Sequence, residues 1–161
     1  MVYENHPALI GDLATAMKAN GVLPEIEIFD LSHLHTARRL ADGGLIERPH
    51  IQFVMGVQNA LPAEERLLDV LLREAKFLFP QSTWTAAGIG RNQTIVMNWA
   101  LARGADAVRT GLEDNIRITR ERLARSNAEL VELAAASVER LGRRVATVNE
   151  ARQTLGLASG S

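Results

Sequence analysis

The sequence contains no cysteine among its 161 residues. Disulfide bonds, catalysis by a thiolate and zinc sites ligated by cysteine are therefore excluded. An excess of charge of one sign is also missing, because 18 lysines and arginines stand against 19 aspartates and glutamates, which leaves a net charge of −1. A chain with this balance has no electrostatic footprint for nucleic acid or for an anionic membrane.

Long apolar runs are absent as well, and none approaches the ~20 residues of a membrane span. Residues 1–6 do not have the form of a signal peptide, so we expect a cytoplasmic protein. Apolar residues make up 47% and charged residues 23% of the chain, which is typical of a globular protein. The length suits one domain with a sizeable core.

What the chain does have is a regular succession of strand and helix patterns. Strands are predicted near residues 25–30, 50–56, 83–88 and 106–110. Helices are predicted over residues 7–20, 36–42, 62–79, 93–103 and 126–141 and from 147 onward, with proline or a capping residue at several starts and glycine at several ends. These strand–helix units imply an α/β fold with parallel strands and right-handed crossovers. We expect residues 158–161 to be a disordered tail.

Polar residues follow each of the four predicted strands. They are Asp30-Leu31-Ser32-His33, Gln58-Asn59, Arg91-Asn92-Gln93 and Glu113-Asp114-Asn115. A single polar turn is ordinary chain chemistry. Because ligands bind at the carboxyl ends of parallel strands, four polar ends at the same edge favour a functional site there.

Five segments, in order along the chain, give the sequence a resemblance to a known family. They are "PEIEIFDL", "QFVMGV", "WTAAGIGRNQ", "VRTGLEDN" and "LARSNAELVE…GRRVATVNEAR". Over residues 2–157 the chain resembles the β-keto acid cleavage enzymes, the family of 3-keto-5-aminohexanoate cleavage enzyme. The resemblance implies a TIM-barrel-type (β/α) fold and a divalent metal, usually zinc. It also implies exchange of a β-keto acid with acetyl-CoA as co-substrate, giving acetoacetate and a new CoA ester.

The resemblance covers only part of such a barrel, since a complete (β/α)₈ barrel needs ~250 residues. It implies that residues 1–157 are the C-terminal half, with strands five to eight, and that the family's His-x-His zinc pair and substrate-binding serine and threonine have no counterpart here. Half a barrel would leave two edge strands and an exposed apolar inner face. We therefore expect a homo-oligomer, or a partner that supplies an N-terminal half-barrel.

The segment "VRTGLEDN", residues 108–115, carries the family's reaction chemistry. Glu113 matches the metal ligand, Asp114 the general base, and Arg109 the arginine that keeps this base ionised and oriented. In the implied mechanism the metal polarises the keto group, Asp114 removes a proton, and a retro-Claisen step releases acetoacetate. On spacing alone, a structural salt bridge beside a turn explains the same residues.

Two further residues are candidate substrate contacts. Glu27 places a charge in the middle of a buried strand, where it must be paired or functional, and the family has an acidic residue facing the barrel interior there. Arg91, at the end of the third strand, could meet the phosphates of CoA, and a cap on the next helix is the alternative.

His33 and His35 form a His-x-His pair, which on a strand points both rings the same way, as zinc ligands do. This pair follows the first predicted strand, so we interpret it as a loop feature, and any metal role stays open. Three functions remain: a truncated or split β-keto acid cleavage enzyme, a catalytically inactive half-barrel assembly module, or an unrelated α/β metal-dependent aldolase or lyase. Because Glu113 alone is far short of four ligands, this chain by itself is expected to bind zinc poorly.

Overall fold

A computed structural model describes residues 4–157, so the predicted tail at 158–161 lies outside the described residues. Three strands form one sheet in the order β1-β2-β3. They are β1 Glu25–Ile28, β2 His50–Met55 and β3 Thr83–Gly88. Both neighbouring pairs are parallel, with Ile28 opposite Phe53 and Phe53 opposite Ala86. The predicted α/β class, the parallel pairing and the positions of the first three strands are confirmed.

Six helices accompany the sheet within the described residues. They are α1 Pro7–Ala19, α2 Leu31–Asp42, α3 Glu65–Leu78, α4 Gln93–Ala102, α5 Asn127–Arg140 and α6 Val148–Leu155, with a single 3₁₀ turn at Gly90–Asn92. In this part of the chain, the helices are all too short or too polar to cross a lipid bilayer.

Helix α2 begins earlier than its apolar pattern predicts. The Asp30 carboxylate accepts a hydrogen bond from the Ser32 backbone N–H at 2.9 Å and so caps a helix that starts at Leu31. His33 and His35 therefore lie on a helix, and their interpretation as a loop feature is wrong. The N-cap of α5 at Ser126 forms only part of a capping box. The Glu129 carboxylate accepts from the Arg125 N–H instead of returning to the Ser126 backbone. The cap of α6 is a complete capping box between Thr147 and Glu150.

The predicted fourth strand, at 106–110, does not form as a regular strand. The segment lies beside β3, where the Asp106 N–H donates to the Trp84 carbonyl at 3.0 Å. Side chains make the neighbouring links: the Asp106 carboxylate accepts from the Trp84 N–H at 2.9 Å, and the Thr85 hydroxyl donates to the Ala107 carbonyl at 2.8 Å. Because side-chain atoms take the places of backbone partners, the ladder is not continued.

One face of the sheet packs against α2, α3 and α4 and forms the core. Its buried side chains include Ile28, Ile51, Phe53, Met55, Trp84, Leu34, Leu68, Leu71 and Val96. Successive side chains of a strand point to opposite faces, so the opposite face of this sheet carries the polar residues Glu25, Glu27, His50, Gln52, Thr83 and Thr85 together with the apolar Val54 and Ala87. The expected apolar inner face is therefore met only in part, because charged and hydrogen-bonding groups share it with Val54 and Ala87.

Helix α6 lies at the amino-terminal ends of the strands. The Arg48 side chain donates to the Gln81 carbonyl at 3.1 Å and to the Thr154 carbonyl at 3.2 Å. This arginine thus joins the loops before β2 and β3 to the last described helix. The opposite edge of the sheet, with the carboxyl ends of the strands, stays clear of α6.

The close approach of β3 to α4 makes Gly88 a sensitive position. A Cβ atom added at Gly88 would clash with the Asn92 carbonyl oxygen and lie 2.6 Å from its carbon and 2.9 Å from the Val96 Cβ. We expect Gly88→Ala to lower the free energy of unfolding by about 1–3 kcal/mol, the usual effect of overpacking. Urea denaturation followed by circular dichroism measures this change.

A matched glycine substitution provides the control. Gly11 lies within α1, and a Cβ added there meets no atom within 4 Å. Gly11→Ala should raise the free energy of unfolding by about 0.5–1 kcal/mol, because alanine loses less backbone entropy in a helix. Equal effects of the two substitutions would contradict the tight seating of α4 on β3.

Candidate active site at the carboxyl ends of the strands

The guanidinium group of Arg109 contacts three carboxylates at the carboxyl edge of the sheet. Its Nε and Nη2 atoms donate to the two oxygens of Asp114 at 2.8 and 3.0 Å. Its Nη1 donates to Glu27 Oε1 at 2.8 Å, and Nη2 also lies 3.3 Å from Glu113 Oε2. Residues that are 82 positions apart in the chain are thus brought together by one cation.

The members of this cluster differ in exposure. The side chain of Asp114 is 6% exposed, whereas that of Glu113 is 86% exposed. Burial of the Arg109 guanidinium by itself lowers its pKa, and the hydrogen bonds and charge of Asp114 and Glu27 more than offset this, so that the pKa of Arg109 is raised. Arg109 therefore stays a cation, and the bidentate pair holds the Asp114 carboxylate in one orientation.

A buried glutamine on the central strand supports the cluster from below. Glu27, Gln52 and Thr85 face one another across β1, β2 and β3. The Gln52 amide, which is 1% exposed, donates to Glu27 Oε1 at 3.0 Å, the same oxygen that accepts from Arg109. Glu27 is consequently fixed between a neutral donor and a charged one. The sequence analysis does not single out Gln52, although a polar side chain in a buried strand is the signal that could have identified it.

The turn that carries Glu113 and Asp114 is tied to its neighbours by the backbone. The Gly90 N–H donates to the Asp114 carbonyl at 2.7 Å, with Gly90 in the left-handed region at φ 60°. The Leu112 N–H donates to the Asn127 side chain at 2.8 Å, at the start of α5. Gln93, at the start of α4, also bonds to this segment. Neither Asn127 nor Gln93 was a candidate site residue in the sequence analysis.

A cavity of about 790 Å³ lies between the polar face of the sheet and α5 and α6. Gln52, Thr85, Arg109 and Thr110 line it on the sheet side, and Val131, Ala134 and Val138 of α5 line the other side. Its volume is within the usual range for small-molecule sites. His50 lies deeper in the cavity, with its Nδ1 2.8 Å from the Thr83 hydroxyl, and burial lowers the pKa of this histidine.

The remaining candidates lie apart from the Arg109 cluster. Arg91 is exposed on the 3₁₀ turn that follows β3. His35 Nε2 lies 3.2 Å from Glu74 Oε1, while His33 Nδ1 accepts from the Phe29 N–H at 3.3 Å. Residues two positions apart on a helix do not face each other, so these two histidines do not form a pair of zinc ligands.

The donor set of this chain does not fit a zinc ion. Between residues 4 and 157, no group of three or more histidine, aspartate or glutamate side chains could hold a metal. The carboxylates of Glu27, Glu113 and Asp114 all contact the Arg109 cation instead. A four-coordinate site therefore requires ligands that these residues do not provide.

Comparison with solved structures identifies the class of fold. A ternary complex of ObcA with a C4-CoA adduct and oxalate matches with a TM-score of 0.78 and 20% sequence identity, covering 96% of this chain and 42% of that one. A structure of apo ObcA matches equally well, with a TM-score of 0.78. The chain thus shares the TIM-barrel-type arrangement of parallel (β/α) units with part of a larger protein.

The chain belongs to the beta-keto acid cleavage enzyme family, whose model matches residues 1–157. Among its relatives, the 3-oxoadipate:acetyl-CoA acetyltransferase of Cupriavidus necator is 48% identical over 98% of this chain. The 3-keto-5-aminohexanoate cleavage enzyme of Fusobacterium nucleatum is 38% identical over 97% of it. The chain spans about half the length of these curated relatives, 56% in both cases.

The loop after the candidate site, residues 115–126, is fastened to α5 by Glu129. This carboxylate accepts from Arg122 Nη1 at 2.7 Å and from the Arg125 N–H at 2.8 Å. Chiefly through the bond from Arg122, these partners lower the pKa of Glu129 from 4.5 to about 2. Glu150 in α6, bound by Arg144, has its pKa lowered to about 2 in the same way.

Acid should therefore destabilise the chain in a defined pH range. Because the folded-state pKa of Glu129 lies below its unfolded value, its stabilisation is present above about pH 4.5 and is lost as pH falls towards about 2. In urea denaturation at pH 7, 4 and 3, the free energy of unfolding should fall less with decreasing pH for Glu129→Gln than for the unchanged chain. Glu139→Gln, an exposed position on the same helix, serves as the control and should retain the full pH dependence.

Proposed function

We propose that this chain supplies the acid–base part of an enzyme that cleaves a β-keto acid with acetyl-CoA, giving acetoacetate and a CoA ester. The bidentate contact of Arg109 with Asp114, at 2.8 and 3.0 Å, is the observation that carries this proposal. It joins an oriented carboxylate to a fixed cation at the edge of the sheet where such folds bind ligands. The names of the relatives, which are acetyl-CoA-dependent transferases and cleavage enzymes, support the same reaction class.

In this proposal Asp114 is the general base. A C–H bond of the carbon between the keto and carboxylate groups of the substrate breaks, its proton moves to the Asp114 carboxylate, and the carbanion attacks the acetyl-CoA carbonyl and expels the CoA thiolate. The thiolate then attacks the substrate's own keto carbon, and the C–C bond between that carbon and the former carbanion carbon breaks. This retro-Claisen step leaves a new CoA ester and acetoacetate, which takes the proton back from Asp114. Arg109 orients the base, since both of its carboxylate oxygens accept bonds from the same guanidinium. The second carboxylate on Arg109, Glu27, fixes the arginine from the opposite side.

Glu27 and Arg91 are the proposed substrate contacts. Glu27 Oε1 is engaged by Arg109 and Gln52, and its side chain is still 39% exposed, which leaves it accessible to a ligand at this edge of the sheet. Arg91 offers an exposed positive charge at the same edge of the sheet, suited to the phosphates of CoA. The particular keto acid does not follow from the names, because relatives of similar identity are named for different substrates. For the relative at 48% identity it is 3-oxoadipate, which is the first substrate to assay.

Glu113 is proposed as this chain's one ligand to a zinc ion. Its carboxylate is 86% exposed and makes only the longest of the Arg109 contacts, 3.3 Å, so it can turn away from the arginine at low cost. The other ligands would come from an N-terminal half of the barrel, and we propose that residues 1–157 form the C-terminal half. The open polar face of the sheet and the cavity beside it support a need for such a partner, or for a homo-oligomer.

The role of Asp114 can be tested in the complete enzyme, with the N-terminal half joined to this chain or added to it. We expect Asp114→Asn to lower turnover by about 10²–10⁴-fold, because an amide cannot accept the substrate proton. Zinc content, measured by atomic absorption, should be unchanged. Asp12→Asn, at an exposed position on α1, is the control and should retain full turnover. Near-normal turnover of Asp114→Asn would rule out Asp114 as the general base.

A zinc titration by calorimetry tests the role of Glu113. The chain alone should bind zinc no more tightly than its Glu113→Gln variant, because a single carboxylate is far from a four-coordinate site. In the complete enzyme the same substitution should weaken zinc binding clearly. Tight binding by the chain alone would show that the described residues can rearrange into a metal site, contrary to the proposal.

A further inference from the structure

Gln93 is a buried polar residue that bonds to the backbone and side chain beside the Arg109 cluster. It is the first residue of α4 and is 2% exposed. Its Nε2 donates to the Gly111 carbonyl at 2.9 Å, and its Oε1 accepts from the Thr110 hydroxyl at 2.8 Å. Both ends of one amide are therefore used on two consecutive residues that lie between Arg109 and the turn with Glu113 and Asp114.

The chemistry of the partners fixes the orientation of this amide. A backbone carbonyl can only accept, so the NH₂ group of Gln93 must face Gly111, and the Thr110 hydroxyl then donates to the oxygen. No other orientation satisfies both partners. Loss of the Gln93 side chain would leave buried polar groups unpaired, which is costly in a site of this kind.

The start of α4 is itself rigidly placed. Gly88 leaves no room for a Cβ atom between the end of β3 and the backbone of Asn92, so α4 is seated directly on the sheet. Through its two hydrogen bonds, Gln93 fixes residues 110 and 111 relative to α4. This matters because the segment 105–110 lacks a continuous ladder to β3, whose last side-chain link is from Thr85 to the Ala107 carbonyl. Beyond Ala107, the hydrogen bonds of Gln93 take the place of strand-to-strand hydrogen bonds in fixing the position of Arg109 relative to the sheet.

We propose that Gln93 is a positioning residue that holds Arg109 and the turn 111–114 in register with the sheet. This inference rests on the proposed function, in which Arg109 orients the general base. Gln93 does not contact the reacting atoms and acts through Thr110 and Gly111. A displacement of about 1 Å at a reacting group can lower a rate by about 100-fold, so loss of this register should reduce turnover without removing any group that binds substrate.

Kinetics of the complete enzyme give the first test. Gln93→Met, which keeps the length of the side chain and removes both bonds, should lower kcat by about 10- to 100-fold and leave KM for acetyl-CoA unchanged. Thr110→Val should lower kcat in the same direction, while Thr110→Ser, which retains the hydroxyl donor, should restore it. This pair keeps the test decisive if Gln93→Met fails to fold.

Ser137→Ala is the matched control. Ser137 is also buried on a helix, at 3% exposure, and its hydroxyl donates to the Leu133 carbonyl at 2.9 Å and accepts from Arg140 Nη2 at 2.7 Å, both on its own helix. It should lower stability without lowering kcat. An equal loss of kcat in Ser137→Ala and Gln93→Met, or no difference between Thr110→Val and Thr110→Ser, would overturn the inference.

A spectroscopic readout separates this inference from the proposed function. In the ¹⁵N-labelled chain, the Arg109 Nε–H resonance reports its bond to Asp114, and its assignment follows from its absence in Arg109→Lys. Gln93→Met should shift or broaden this resonance, whereas Ser137→Ala should leave it in place. An unchanged resonance in Gln93→Met would overturn the inference whatever the activity. If the complete enzyme has no turnover but the resonance moves as expected, the proposed function fails and the positioning role of Gln93 stands.

Discussion

One cation surrounded by three carboxylates determines how the carboxyl edge of this sheet is built. Arg109 can bond to Glu27, Glu113 and Asp114 at the same time only if β1, the segment 105–110 and the turn after it all end at the same level along the strand direction. The bonds around it serve that requirement: Gln52 fixes Glu27 from the central strand, and Gly90 fixes the carbonyl of Asp114. A guanidinium with its five donors is suited to this task, and a lysine, with a single ammonium group, would not hold the same geometry.

The polarity of the inner face follows from the same arrangement. Barrel interiors are usually filled by layers of branched apolar side chains, whereas here one row consists of Glu27, Gln52 and Thr85. Such a row is stable only if its polar atoms have partners. Among residues 4–157, each buried side-chain nitrogen or oxygen has a hydrogen-bond partner. The polar layer therefore supports the charged cluster, and the main apolar core lies on the opposite face of the sheet, against α2, α3 and α4.

Much of this architecture is predictable from the sequence, and the failures have specific physical causes. The first three strands and the parallel pairing follow from the alternation of apolar segments, helices and glycines. The predicted fourth strand does not form because Asp106 and Thr85 replace backbone partners with side-chain atoms, which no hydrophobic pattern reveals. The start of α2 is displaced because a single carboxylate, Asp30, caps the helix ahead of its apolar residues.

In the site as well, contacts within one short segment can be predicted from the sequence, whereas contacts that depend on the fold cannot. Arg109, Glu113 and Asp114 lie within one short segment, so their proximity can be anticipated from their spacing. Glu27 joins them only through the fold. Gln52 and Gln93 are uncharged amides, and their importance depends on which backbone and carboxylate atoms they meet. A glutamine in a segment predicted to be buried indicates that its amide needs hydrogen-bond partners, but the sequence does not indicate which ones.

The link between Arg48 and Thr154 has a consequence for the order in which the chain folds. It joins residues 106 positions apart, while β1 pairs with β2 and β2 with β3, the next strand along the sequence in each case. Closure of so long a loop costs more entropy than pairing between neighbouring units and comes late in folding. During synthesis, the sheet and its first helices can assemble on the ribosome before α6 has left it. Docking of that last helix then marks the end of folding for the described chain.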